Sequence, residues 1–124
     1  MKKLILYAED NQSIRNLAER KIARELPAYS FVTMDKSGDV ASRINDGSVS
    51  IDNLAIVCTD GQLLESSFGW DVVEELRKRG YSGPALYMGY LELPKDKENL
   101  YSGRCDKTGD DLISKIKGHL ETNS

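Results

Sequence analysis

The sequence predicts an α/β fold, a doubly wound parallel sheet with helices on both faces. Two observations predict it. Apolar runs without polar alternation, typical of strands buried on both faces, recur along the chain. Between them lie segments whose apolar residues fall at helical spacing, so that strand and helix alternate. The chain has no internal repeat, low-complexity stretch or linker that would divide this pattern.

Five segments are predicted to form strands. Residues 3–8 and 54–59 carry the clearest signal, because their apolar residues run with little interruption. Residues 104–106 are unusually polar for a strand. The complete predicted set is 3–8, 29–34, 54–59, 84–88 and 104–106.

Four helices are predicted between and after these strands, at 11–26, 37–44, 66–79 and 110–120. Asn11 or Ser13 can cap the first helix, and Pro27 ends it. Gly80 is a typical C-terminal cap for the third helix. Residues 91–100 predict one or two turns at most, so a helix between strands four and five would be degenerate.

Length and composition indicate one small globular domain over residues 1–124, with 121–124 as a frayed tail. Hydrophobic residues make up 40% and charged residues 30% of the chain, as is ordinary for a globular protein. The net charge of -3 gives no electrostatic reason to expect nucleic acid or a membrane as a partner. Cys58 and Cys105 fall in predicted strands, where buried reduced thiols are expected, and this favours the cytoplasm.

Residues that could contact a ligand lie at the ends of the predicted strands. Glu9 and Asp10 follow the first strand, Asp60 the third, Gly89 the fourth and Lys107 the fifth. Ligands of doubly wound sheets bind beyond the carboxyl ends of the strands, so one pocket would collect these residues. Taken singly, each carboxylate could simply be a helix cap or a turn residue, and the lysine could be a solvated surface residue. Together they suit Mg²⁺ and a phosphoryl group.

The chain resembles response-regulator receiver domains over nearly its full length. Glu9 and Asp10 match the acidic pair of that family, Asp60 its phospho-accepting aspartate and Lys107 its lysine. Gly69 resembles the glycine that opens the third helix. The resemblance implies a five-stranded parallel sheet in the order 2-1-3-4-5 and a cytoplasmic two-component or phosphorelay protein.

The resemblance also implies a role for each site residue. Mg²⁺ would be held by Asp10 and Asp60, by Glu9 through water, and by the backbone carbonyl of Gln62. Lys107 would contact a phosphoryl oxygen, or Asp60 when no phosphoryl group is present. Mutual repulsion among the three carboxylates is expected to shift some of their pKa values.

The chain departs from the receiver pattern at its switch positions. Gly89 stands where receivers usually have Ser or Thr, whose hydroxyl binds the phosphoryl group. Arg104 replaces an aromatic residue that changes rotamer on activation, and Thr108 replaces a proline. The loop after Asp60 is one residue longer than usual. The acceptor and the metal ligands are kept, but both parts of the usual switch are missing.

Two functions follow from these matches and departures. The first is a phospho-accepting receiver that takes a phosphoryl group from a histidine kinase or histidine phosphotransfer protein and then binds a downstream protein target. It would be no enzyme beyond self-phosphorylation and dephosphorylation at Asp60. The alternative is a pseudo-receiver, an interaction module that works without phosphorylation. A small Mg²⁺ phosphatase fits less well, because Gln62 stands where a second acidic residue is needed.

Overall fold

The computed structural model describes residues 2–122. Within them, five strands form one parallel sheet in the order β2-β1-β3-β4-β5. This confirms both the predicted fold class and the strand order that the receiver resemblance implies. The strands are β1 Lys3–Ala8, β2 Tyr29–Met34, β3 Leu54–Thr59, β4 Ala85–Tyr87 and β5 Gly103–Arg104.

Four α-helices and two short 3-10 helices connect the strands in this part of the chain. The α-helices are α1 Gln12–Glu25, α2 Asp39–Asn45, α3 Gly69–Lys78 and α4 Gly109–Thr122, and the 3-10 helices are Ile51–Asn53 and Lys95–Leu100. Only the second 3-10 helix lies between β4 and β5 among the described residues, which confirms the predicted degeneracy there. Over residues 2–122, no helix is both long enough and apolar enough to cross a membrane.

The last helix ends later than predicted. α4 continues two residues beyond its predicted end, through Glu121 and Thr122, which are the first half of the predicted tail. Asn123 and Ser124, the other half of the predicted tail, lie outside the described residues.

Helices cover both faces of the sheet, and a separate apolar cluster fills each side. Successive residues of a strand point to opposite faces, so Ile5 and Leu6 of β1 belong to different clusters. Leu6 shares its cluster with Leu76 of α3, whereas Ile5 packs with Ile22 of α1 and Leu112 of α4. All five side chains are fully buried. A central strand covered on both sides explains the apolar run that predicted it.

Both predicted caps are present. The Asn11 side chain accepts a hydrogen bond of 3.1 Å from the backbone N–H of Ile14, so Asn11 and not Ser13 caps α1. Gly80 follows α3 with φ of 102°, a conformation that L side chains rarely adopt.

β5 ends earlier than predicted. The predicted strand 104–106 begins one residue too late and ends two too late. The Cys105 N–H still donates to Tyr87 O of β4 at 3.1 Å, but the Asp106 N–H turns away and donates to Asp111 Oδ2 at 2.8 Å. This hydrogen bond to a side chain in the first turn of α4 therefore takes the backbone out of the ladder. Cys105 lies outside the strand and is half-buried, contrary to prediction, while Cys58 is buried; both are free thiols.

α3 starts later than predicted. The helix was predicted to begin at Ser66, but Glu65 and Ser66 have left-handed φ values of 59° and 56°, which cannot continue into a helix. The helix begins only after Phe68, whose backbone N–H donates to Asp71 Oδ2 at 2.9 Å. The loop between Asp60 and α3, called the acceptor loop below, is therefore longer than predicted.

Candidate functional site

Backbone hydrogen bonds of the sheet hold the two buried acidic residues at the strand ends. Glu9 directly follows β1 and its N–H donates to Met34 O at 3.0 Å. Asp60 directly follows β3 and its N–H donates to Ala8 O at 2.8 Å. Both bonds prolong the ladders on either side of β1. The backbone of both residues is therefore held by the sheet.

Three carboxylates converge at this edge. Each of Glu9, Asp10 and Asp60 offers an oxygen, and these oxygens all lie within 4.8 Å of one another. Glu9 and Asp60 are only 1% and 7% exposed, whereas Asp10 is exposed. The Gly61 N–H donates to Asp60 Oδ1 at 2.7 Å, and the Asn11 N–H donates to Glu9 Oε1 at 3.3 Å. The structure thus brings together the acidic residues that the sequence predicted.

Lys107 completes the cluster from the loop after β5. Its Nζ donates to Asp60 Oδ2 at 3.0 Å and lies 3.3 Å from Glu9 Oε2. The second contact lacks the geometry of a hydrogen bond, and Glu9 Oε2 is a buried atom without a hydrogen-bond partner. Although burial opposes it, the bond to Asp60 and the charge of Glu9 raise the pKa of Lys107. One ammonium group thus contacts two of the three carboxylates.

Burial and repulsion from a neighbouring carboxylate both act on Glu9. Burial first, and then the nearby charge of Asp60, raise the pKa of Glu9 to about 7 despite the opposing charge of Lys107. Burial and the neighbouring carboxylate thus disfavour the ionised form of Glu9, and a further cation would favour it.

The donor set fits Mg²⁺. All donors are oxygens, the type of ligand that this ion prefers. Glu9 Oε2, which accepts no hydrogen bond, and the exposed carboxylate of Asp10 leave acceptor capacity for a metal ion. Gln62 lies in the loop after Asp60, where it pairs with Phe68 across the loop. Its backbone carbonyl stays a predicted ligand.

The acceptor loop packs tightly against its surroundings. The Leu64 N–H donates to Asp35 O at 2.8 Å in the loop after β2, and the Gly69 N–H donates to Gly61 O at 3.0 Å. A Cβ on Gly69 would lie 1.8 Å from the backbone oxygen of Asp60, so only glycine fits here. Gly69, which the receiver resemblance placed at the start of α3, therefore packs directly against the backbone of Asp60.

No side chain fits at Gly89, the position at which receivers usually have Ser or Thr. A Cβ there would lie 2.5 Å from Tyr87 Oη and 2.6 Å from Gly61 N. A Cβ on Gly61 would also lie 2.5 Å from Tyr87 Oη. The Tyr87 hydroxyl fills the space between these glycines and donates to Leu91 O at 2.9 Å. Sequence reasoning missed Tyr87; the available signal was a polar-tipped aromatic residue in an otherwise apolar strand.

Arg104, the other predicted switch position, lies over an aromatic pair. Its guanidinium carbon is 5.2 Å from the centroid of the Tyr87 ring. The Tyr87 and Tyr101 rings are 5.2 Å apart, and the Tyr101 hydroxyl is 2.5 Å from Thr59 Oγ1. Aromatic rings therefore do flank the site, but positions 87 and 101 supply them.

Two further contacts that sequence reasoning missed hold the loops around the carboxylates. The buried Tyr7 hydroxyl donates to the backbone oxygen of Lys107. Burial, followed by the charge of Glu9, raises the pKa of Tyr7, so the phenol keeps its proton. Arg15 Nη1 of α1 donates to Glu9 O at 2.7 Å. A tyrosine within the apolar run of β1 was the signal for the first contact.

Tyr90 stands at the mouth of the site. Its ring centroid is 5.1 Å from Lys107 Nζ, although the residue is 92% exposed. Beside it, a cavity of about 280 Å³ is lined by residues that include Gly89, Arg104 and Lys107. This cavity therefore lies beside Lys107, between the loops after β4 and β5.

Comparison with known proteins connects this geometry to one fold. The chain matches no family model and no curated protein. A CheY-like receiver domain from Methylobacillus flagellatus is 16% identical, with a TM-score of 0.70 over 95% of this chain and 98% of that one. The response regulator TrrA from Thermotoga maritima, in complex with Mg²⁺-BeF, is 20% identical, with a TM-score of 0.74 over 95% of this chain and 99% of that one.

A further structure shows histidine kinase ThkA in complex with TrrA. The matched chain in it is 20% identical, with a TM-score of 0.74 over 95% of this chain and 98% of that one. Many other receiver domains match at comparable coverage. Together with the strand order, these likenesses show that the chain has the fold of CheY-like response-regulator receiver domains.

Proposed function

We propose that this chain is a phospho-accepting receiver domain in which Asp60 takes up the phosphoryl group. One observation carries the proposal. Lys107 Nζ lies 3.0 Å from Asp60 Oδ2, and the carboxylates of Glu9 and Asp10 lie within 4.8 Å of the acceptor, at the carboxyl edge of a receiver fold. This arrangement supplies a nucleophile, a cation and a candidate metal site in one place.

The proposed chemistry needs little from the protein beyond positioning and charge. One oxygen of the Asp60 carboxylate attacks phosphorus as the bond from phosphorus to the nitrogen of a phosphohistidine breaks. The electron pair of that bond stays on the leaving imidazole, which takes up a proton, and Asp60 becomes an acyl phosphate. The Gly61 N–H and the Lys107 ammonium hold the two carboxylate oxygens and orient the acceptor for attack.

Mg²⁺ would be held by Asp10 and Asp60, by Glu9 through water and by the Gln62 carbonyl, with cation charge that neutralises the acceptor and the incoming phosphoryl oxygens. Lys107 would turn one of its N–H bonds toward a phosphoryl oxygen after transfer. Since the reacting carboxylate belongs to the protein itself, we class the chain as a signalling protein and not as an enzyme.

The proposed partners follow from the fold likeness. The complex of TrrA with a histidine kinase supports a histidine kinase or histidine phosphotransfer protein as the phosphoryl donor. Output would pass through binding of a downstream protein target. Two free cysteines, one of them half-buried, are consistent with the reducing cytoplasm that such a pathway would use.

A pseudo-receiver remains the second candidate because of one observation. Gly89 brings no hydroxyl to the site, and the clash of any Cβ there with Tyr87 Oη shows that the loss is built into the packing. A module that only docks onto partners needs neither the hydroxyl nor a metal.

Mg²⁺ binding separates the two candidates. We expect calorimetric titration to show one Mg²⁺ site in the native protein, weakened at least about tenfold by Asp10→Asn, because that change removes a ligand charge. Asp52→Asn is the matched control, since Asp52 is an exposed carboxylate at the opposite end of β3. No Mg²⁺ binding by the native protein, or equal loss in the control, would contradict the receiver proposal.

A further inference from the structure

We infer that the buried hydroxyl of Tyr87 binds the phosphoryl group on Asp60, in place of the side-chain hydroxyl that Gly89 lacks. This inference rests on the proposed function. It assigns a phosphoryl-binding role to a residue of β4 that faces the site from within the fold.

The position of Tyr87 Oη supports this role. The atom lies 2.5 Å from where a Cβ of Gly89 would stand, which is the space that a serine or threonine at that position would occupy. It also lies 2.5 Å from where a Cβ of Gly61 would stand. The Gly61 N–H donates to Asp60 Oδ1 at 2.7 Å. The phenol thus adjoins the residue that holds the acceptor.

The surroundings fix the ring and keep the hydroxyl a donor. Tyr87 is 1% exposed, with Arg104 at 5.2 Å from its ring centroid and the Tyr101 ring at 5.2 Å. Burial, followed by the charge of Asp60, raises the pKa of Tyr87, so the proton stays on Oη. The hydroxyl can therefore change its acceptor by rotation of the O–H bond, with the ring in place.

The Tyr87 hydroxyl has one proton and can therefore donate to only one acceptor at a time. Tyr87 Oη now donates to Leu91 O at 2.9 Å in the loop after β4. When it donates to a phosphoryl oxygen, Leu91 O loses that bond. The same loop carries Tyr90 and Leu91, which are 92% and 45% exposed. Phosphorylation would thus remove one hydrogen bond that ties this loop to β4, without a threonine at position 89 or an aromatic residue at position 104.

The test uses beryllofluoride with Mg²⁺ as the phosphoryl probe, titrated into native protein, Asp60→Asn, Tyr87→Phe and Tyr101→Phe. We expect Asp60-dependent binding that Tyr87→Phe weakens about tenfold or more, because a hydrogen bond to a charged group is lost. Tyr101→Phe is the matched control. It removes the hydroxyl of the neighbouring ring, which contacts Thr59 Oγ1, and should leave the affinity unchanged.

A second measurement avoids any dependence on the folding of the Tyr87 variant. In native protein, the ¹³C resonance of the Leu91 carbonyl should shift when beryllofluoride binds, because its donor leaves. An unshifted Leu91 carbonyl, an unchanged affinity in Tyr87→Phe, or an equal loss in Tyr101→Phe would overturn the inference and leave the receiver proposal standing. Native protein that binds no beryllofluoride would overturn the receiver proposal and this inference with it.

Discussion

At the scale of single residues, the site is a cluster of negative charge that one lysine only partly balances. Glu9 and Asp60 are buried at adjacent strand ends, and Lys107 reaches both. These residues were predictable, because a carboxylate directly after a buried apolar run is visible in the sequence. Tyr87 was not, since its contact with Gly61 and Gly89 depends on loops that meet only in the folded chain.

The excess charge predicts a pH dependence of metal-free stability. Because folding raises the pKa of Glu9 from 4.5 to about 7, the folded state binds more protons than the unfolded state between these values. The contribution of Glu9 to stability is therefore fully present below about pH 4.5 and is lost as pH rises through about 7. Glu9→Gln should flatten this slope and raise the free energy of unfolding at pH 8 by on the order of 1 kcal/mol.

Urea unfolding in a chelator, from pH 4.5 to pH 8, checks this effect of Glu9. Asp52→Asn, which removes an exposed carboxylate, should keep the slope of the native protein. If Glu9→Gln were less stable than native protein at pH 8, the carboxylate would be a favourable partner of Lys107 and not a source of repulsion.

At the scale of elements, segments with a strong apolar pattern were predicted well. Ends that depend on a local hydrogen bond or on local backbone conformation were not. β1 and β3 match their predicted bounds, because a buried strand has an apolar sequence throughout. β5 and the start of α3 were wrong for local reasons. Asp111 takes the backbone N–H of Asp106 out of the ladder, and the left-handed Glu65 and Ser66 delay the helix.

The start of α3 gives a prediction for a single methyl group. Gly69→Ala would place Cβ 1.8 Å from Asp60 O and 2.5 Å from Thr59 Oγ1, so the acceptor strand or the helix must move. We expect a loss of about 2 kcal/mol or more in the free energy of unfolding, as for overpacked cores. The loss should be accompanied by weaker Mg²⁺ binding.

Gly118→Ala is the matched control for this substitution. Gly118 lies inside α4, and a Cβ there would meet no atom within 4 Å. The change should stabilise the protein by about 0.5–1 kcal/mol, because alanine favours a helix over glycine. Equal effects of the two substitutions in denaturant unfolding would show that Gly69 is not held by close packing against the acceptor.

At the scale of the whole molecule, the fold was predictable and the signalling route was not. Alternation of strand and helix predicted the parallel sheet, and the receiver resemblance supplied its order, which the structure confirms. The missing switch at Gly89 and Arg104 was also visible in sequence. What could take its place was not, because the Tyr87 hydroxyl meets Gly61 and Leu91, in the loops after β3 and β4, only in the folded chain.

The central claim, that Asp60 accepts a phosphoryl group, is tested most directly by intact mass after incubation with Mg²⁺ and acetyl phosphate. Asp60→Asn serves as the control, because it removes the nucleophile and leaves the other site residues unchanged. We expect a gain of one phosphoryl group in the native protein, none in the control, and none when Mg²⁺ is chelated. No gain in native protein that also fails to bind Mg²⁺, or an equal gain in the control, would contradict it.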